Sequence, residues 1–198
     1  MAPNGLGWMI VDSIDTMMIM NLTDQVSRAK QWISQSLTWD QDQDVNTFET
    51  TIRMLGGLLS AHYLQHELRI PFDDEDEDMY LEKATQLAER LLGAFTSSSG
   101  IPFASVNLKT TKGIPSHADG GASSTAEAGT LQLEMKYLSK LLGEDIYWQK
   151  AEKVMQAIDN NGAKDGLVPI FIHASTGKFH ENNIRLGSRG DSYYGEHQ

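Results

Sequence analysis

Asp12, Glu49, Glu134 and Asp191 stand on separate stretches that each read as an apolar helix. Arg53 follows Glu49 by four residues, and Arg189 precedes Asp191 by two. Carboxylates aimed inward from different helices either knit ion pairs or line an acid pocket. An acid pocket suits a polyhydroxylated ligand, because carboxylates accept hydrogen bonds from hydroxyls and can give or take protons.

Each motif also has an ordinary structural reading. Glu49 and Arg53 lie one helical turn apart, in the favourable order for an ion pair. Phe48 and Ile52 flank them, and a carboxyl half-buried among apolar neighbours can serve as a general acid. Asp12 and Ser13 suit the start of the first helix as caps. Glu127 and Glu134 are seven residues apart, so both fall near one side of a single helix, where a solvated acidic stripe is the plain reading. In Ser188–Tyr194, Asp191 stands among the N–H groups of a helix start. Gly190 there can admit a ligand to the backbone, and Tyr193 and Tyr194 can stack on a sugar face. His117 beside Asp119–Gly120–Gly121 reads as loop, since no second histidine stands at metal-ligand spacing. No phosphate loop, nucleophile elbow or dinucleotide fingerprint occurs.

The elements that position these residues follow from the apolar period. Val11–Met20 reads as a short helix ended by Asn21. Thr23 or Asp24 caps the next, which runs to about Leu37. Trp39–Asp44 is a polar connection. Val45 to Leu64 carries a strong helical stripe interrupted by Gly56–Gly57, which cost about 1 kcal/mol each against alanine and imply close approach of a neighbouring backbone. Met79–Phe95 is helical. Ile101–Leu108 is extended, and Lys109–Gly121 is a loop. Ser123 or Ser124 caps a helix reaching Leu142, and Asp145–Asn161 forms another. Leu167–Ile172 is extended, Ser175–Gly177 turns, and a last helix starts near Ser188. The order helix, helix, short strand thus occurs twice, with a period of about 65 residues, as in stacked helical hairpins. The extended segments are too few for a doubly wound sheet, and no linker marks a domain boundary.

Composition narrows the function classes. The chain has 198 residues with 40% hydrophobic, enough for one globular core. A net charge of -11 argues against a nucleic-acid partner, which needs a basic face. The run Asp73–Asp78 reads as a solvated loop, lacking the alternating ligands and turn glycine of a calcium loop. The chain contains no cysteine, so disulfides and thiol chemistry are absent from it. Asn21–Leu22–Thr23 is an N-glycosylation sequon and permits a secretory location. No apolar run approaches a membrane span, and no leader pattern opens the chain.

Three blocks together resemble a known family: Gly7-Trp8-Met9-Ile10-Val11-Asp12-Ser13-Ile14-Asp15-Thr16, the stretch Val45–Ala61, and Gly187-Ser188-Arg189-Gly190-Asp191-Ser192-Tyr193-Tyr194. They are similar to the class I α-1,2-mannosidases, glycoside hydrolase family 47. His117–Glu127 looks most like the fungal endoplasmic-reticulum members. The resemblance implies an all-α fold, an incomplete (α/α)7 barrel, or toroid of helical hairpins, with short β segments. It implies trimming of α-1,2-linked mannose from high-mannose N-glycans by inverting hydrolysis with a calcium ion. By the same resemblance Glu49 is the catalytic acid, Asp191 a second catalytic carboxylate, and Asp12, Arg53, Glu134 and Arg189 bind substrate. The location implied is the endoplasmic reticulum or Golgi lumen, as a type II membrane protein anchored by a segment outside this chain.

The family pattern continues past Tyr194 with further hairpins, a third essential carboxylate, the calcium-binding threonine and a cysteine pair. Residues 1–198 are therefore expected to form part of a catalytic domain, cut at the C-terminus and the N-terminus, and inactive alone. Two rival expectations are a non-catalytic glycan-binding relative in glycoprotein quality control and an unrelated helical interaction scaffold.

Overall fold

A computed structural model describes residues 5–68 and 78–196. The acidic residues Asp73–Glu77 lie outside this range. Helix α1 (Trp8–Ile19) and α2 (Thr23–Ser36) form a hairpin joined at Asn21, whose φ of 55° turns the chain. Val11, Ile14 and Met18 give α1 one buried stripe, and Val26, Ala29 and Ile33 give α2 its own. Helix α1 begins earlier than expected, after Gly7, so Asp12 and Ser13 lie in its second turn and are not caps. Thr23 and Asp24 likewise fall inside α2, whose side-chain cap is absent.

The next helical path is entered from a strand. β1 (Asp44–Asn46) takes Val45 and Asn46 out of the expected helix and pairs antiparallel with β2 (Ser105–Asn107), Val45 opposite Val106. β2 pairs in turn with β3 (Gly113–Ile114) inside the expected loop. After β1 come α3 (Thr47–Glu49), a π-helical stretch (Thr50–Leu55) and α4 (Gly56–Glu67), running on without a break. A β-carbon on Gly57 would lie 2.6 Å from the Val11 carbonyl oxygen, so this glycine lets α4 and α1 close on each other.

Helix α5 (Met79–Leu91) packs on α4 and tightens into a 3₁₀ turn (Leu92–Thr96). β4 (Ala122–Ser124) leads into α6 (Thr125–Gly129), and α7 (Gln132–Leu142) and α8 (Asp145–Asp159) form a second hairpin. The single helix expected from Ser124 to Leu142 is therefore broken at Thr130–Leu131. The Thr130 hydroxyl donates back to the Ala126 carbonyl (2.7 Å), closing the first piece. β5 (Phe171–His173) pairs antiparallel with β4, and α9 (Asp191–Glu196) ends the described chain.

One core joins these hairpins. Ile14, Ile33, Leu55, Leu58, Leu87, Leu138, Val154 and Ile158 are among its fully buried members. The fold is mostly helical with short strands, as expected, and two of the strands, β1 and β4, lead directly into helices. Among the described residues no helix is long and apolar enough to cross a membrane.

Candidate active site

The path from Thr47 to Glu67 keeps its buried side in the core and turns one stripe outward. Glu49, Arg53, Gly56, Ser60 and Tyr63 follow each other at steps of four, three, four and three, one face of a helix. The π-helical stretch lies between Glu49 and Gly56, and such stretches recur at functional sites.

Two carboxylates meet one guanidinium on this face. Arg53 Nε donates to Glu49 Oε2 (2.6 Å), and Arg53 Nη1 donates to Asp12 Oδ2 (3.3 Å) from α1. The side chains of Arg53, Asp12 and Glu49 are 46%, 41% and 43% exposed, so the cluster opens to solvent and to a ligand. The two anions raise the pKa of Arg53 further, the Glu49 hydrogen bond first. Glu49 is held by its own backbone too, since its N–H donates to the Asn46 side chain (2.7 Å), the N-cap of α3.

Glu134, at the start of α7, reaches the same stripe further along. Its Oε1 lies 3.4 Å from where a Gly56 β-carbon would sit. With Leu59, Ser60, Tyr63, Leu133 and Tyr137 it lines a cleft of about 420 Å³, a size that suits a small ligand. Burial pushes the Glu134 carboxyl up, and its Oε2 is buried without a hydrogen bond. It is no solvated stripe residue.

Glu127 is the residue that spacing misjudged. The helix break separates it from Glu134, and it turns to the opposite end of the stripe. Asn46 Nδ2 donates to its Oε2 (3.4 Å), so one asparagine touches both Glu127 and the Glu49 backbone. Burial is the main cause that raises the Glu127 pKa, against the lowering effects of Asn46 and Arg189. The signal was present in the sequence: Ser124 precedes Glu127 by three residues, as Asn46 precedes Glu49. Ser124 Oγ accepts from the Glu127 N–H (3.3 Å), so both glutamates stand at the third position after a side-chain cap.

Arg189 pairs with Asp119 and not with Asp191. Its Nη1 donates to Asp119 Oδ2 (2.9 Å), which also accepts from Ser116 Oγ (2.9 Å), and the guanidinium lies 4.9 Å over the Phe171 ring. The Arg189 backbone has φ 73°, and its carbonyl accepts from the Ala126 N–H (3.0 Å) at the start of α6. Asp191 is exposed at the first position of α9, with its Oδ1 accepting from the Ser192 N–H (3.0 Å). No hydrogen bond or ion pair joins Asp191 to Glu49 among the described residues.

The remaining motif residues are structural. Gly190 does make room for a close approach, but the Arg185 carbonyl fills it. The Tyr194 hydroxyl accepts from the Val168 N–H (2.9 Å), and Tyr193 packs against Gly129. Both half-buried rings tie α9 to the body. His117 stays in a loop, as expected.

The structure thus gathers Asp12, Glu49, Arg53 and Glu134 along one helix face, and hangs Arg189 and Asp191 beside α6 through the Arg189 carbonyl. Such a set can bind hydroxyls through carboxylates and guanidinium. Burial raises the pKa of two of its carboxyls, Glu127 and Glu134, above that of an open glutamate.

Comparison with known proteins agrees. A family model described as glycosyl hydrolase family 47 matches residues 1–196. The mannosyl-oligosaccharide 1,2-alpha-mannosidase of Candida albicans is 59% identical over 98% of this chain and 33% of its own length. The endoplasmic reticulum mannosyl-oligosaccharide 1,2-alpha-mannosidase of Schizosaccharomyces pombe is 48% identical over 96% of this chain and 35% of its own. The chain therefore spans about a third of the length of the curated relatives it matches. The solved alpha-1,2-mannosidase from Trichoderma reesei superposes with a TM-score of 0.86 at 31% identity, covering 96% of this chain and 41% of that one.

Proposed function

Because the chain belongs to glycosyl hydrolase family 47, we propose that it forms part of a mannosyl-oligosaccharide 1,2-α-mannosidase. The substrate is the terminal α-1,2-linked mannose of high-mannose N-glycans, and the site of action is the lumen of the endoplasmic reticulum. What supports this most directly is the convergence of Asp12 and Glu49, from separate helices, on Arg53.

In this reading Glu49 donates a proton to the glycosidic oxygen as the bond to the anomeric carbon breaks. Water enters from the opposite face and loses its proton to a carboxylate on that side, the role assigned to Asp191, so the released mannose has inverted configuration. Arg53 holds the Glu49 carboxyl in place. Asp12 and Glu134 accept hydrogen bonds from sugar hydroxyls, and Arg189 binds the glycan further out. Glu127 joins the acid set, steadied by the asparagine that caps Glu49.

Calcium belongs to this proposal only for the complete protein. Among the described residues no three His, Cys, Asp or Glu side chains converge to hold a metal, so these residues form no carboxylate cage for calcium. In the complete protein a type II membrane anchor outside this chain and a Golgi location belong to the same proposal.

The test is mannose release from a high-mannose glycan by the complete protein. Glu49→Gln should lower kcat by roughly 10²–10⁴-fold and leave the unfolding midpoint within a few degrees of the parent. A parent that binds the glycan without turnover favours a non-catalytic receptor. Unchanged turnover in Glu49→Gln removes the proposed acid.

A further inference from the structure

We propose that Asn21 is an N-glycosylation site and that its glycan covers the apolar turn between α1 and α2. The inference rests on the lumenal part of the reading above and not on the catalytic part. Asn21, Leu22 and Thr23 form an acceptor tripeptide with no proline, and all three are exposed. Asn21 sits in a left-handed turn, φ 55°, where its N–H donates to the Met18 carbonyl (3.0 Å) and leaves its side chain outside both helices. Among the described residues neither the Asn21 amide nor the Thr23 hydroxyl has a side-chain hydrogen bond. The folded turn therefore has room for a glycan on Asn21 without breaking a side-chain hydrogen bond.

The surroundings add a second, independent observation. Ile19, Met20 and Leu22 are 68%, 63% and 36% exposed around this one asparagine. An apolar knuckle of this kind is a sticky surface unless something polar covers it. A glycan linked to Asn21 Nδ2 starts within the knuckle and shields it with hydroxyls. Asp12 lies nine residues earlier on α1, roughly 13 Å along the axis, so the attachment point lies outside the acid cluster.

The reaction balances with a lipid-linked oligosaccharide diphosphate as donor, supplied by the secretory pathway. The Asn21 amide nitrogen forms a bond to the anomeric carbon of the donor. The carbon–oxygen bond to the lipid diphosphate breaks, and one amide proton leaves to base.

Modification precedes folding, so it can be read on this chain directly. The chain is expressed in a eukaryotic host behind a cleavable secretory leader, with a C-terminal tag carrying a sequon of its own to report lumenal entry. The expected result is two glycan-sized mass steps, both removed by peptide N-glycosidase. Asn21→Gln and Thr23→Ala each lose one step, and Thr23→Ser keeps both. A chain that carries the tag glycan alone overturns the proposal. In the complete protein from its own cells, Asn21 should be converted to Asp by the same glycosidase. An unmodified Asn21 there overturns the proposal, whatever the leader-directed chain carries. Removing the glycan from folded protein should increase binding of an apolar dye, and an unchanged signal removes the covering role.

Discussion

Among the described residues Arg53 is the cation that pairs with both Asp12 and Glu49, and what it does there is not mainly stability. All three side chains are nearly half exposed, and ion pairs so open to solvent add little to stability. Arg53→Leu should therefore change the chain's denaturant midpoint little. In the complete protein it leaves two carboxylates facing each other unneutralised and should raise KM for the glycan at least tenfold. Glu134 behaves oppositely. Burial raises its pKa, so the folded state holds the proton more tightly than the unfolded chain does. The stability this gives is fully present below the ordinary carboxylate range and is lost as pH rises through the folded value. Glu134→Gln should accordingly unfold at a higher temperature than the parent near neutral pH, with the gap shrinking as pH falls through the carboxylate range. A gap that widens on acidification contradicts the burial. Arg189 owes its place to Asp119, and Asp119→Asn removes the charge from that hydrogen bond. A charged hydrogen bond contributes about 1.5–3 kcal/mol, so glycan KM should rise roughly tenfold, with kcat less affected.

At the scale of elements, the same device is used twice to aim a glutamate. A short strand ends in a cap residue, and the third helical residue is the acid: Asn46 with Glu49 after β1, Ser124 with Glu127 after β4. Asn46→Ala should cost about 1 kcal/mol as a lost cap and release Glu127 as well, so its effect on turnover should exceed that of Ser124→Ala. Gly57→Ala would drive a β-carbon into the Val11 carbonyl and should destabilise the chain by about 1–3 kcal/mol, read by chemical denaturation. Much of this scale was legible in the sequence. The apolar periods gave the helices within a few residues, and Gly56–Gly57 announced the close approach that Gly57 makes to α1. β2 and most of β5 fall in the expected extended segments, whereas β1, β3 and β4 were missed because they are only three, two and three residues long, too short for alternation to register. The break at Thr130–Leu131 escaped because the apolar pattern runs through it, and the turn is closed by a threonine hydroxyl that also fits a helix interior.

The whole molecule brings together residues that the sequence holds far apart, and here the limits of sequence reading are clearest. Glu49 and Arg53 were legible as a pair because four residues fix their geometry. Asp119 and Arg189 are 70 residues apart, and nothing local marks Asp119 as the partner in place of Asp191. The family blocks carried the site residues, while the fold supplied Glu127, Asn46 and Asp119. The central claim is that acids from separate hairpins act on one sugar and displace its link by direct attack of water. Proton NMR of the first mannose released from a high-mannose glycan by the complete protein tests it. The account predicts that β-mannose appears first and that Glu49→Gln abolishes the signal. Initial release of the α-anomer, or β-mannose produced undiminished by Glu49→Gln, would contradict it.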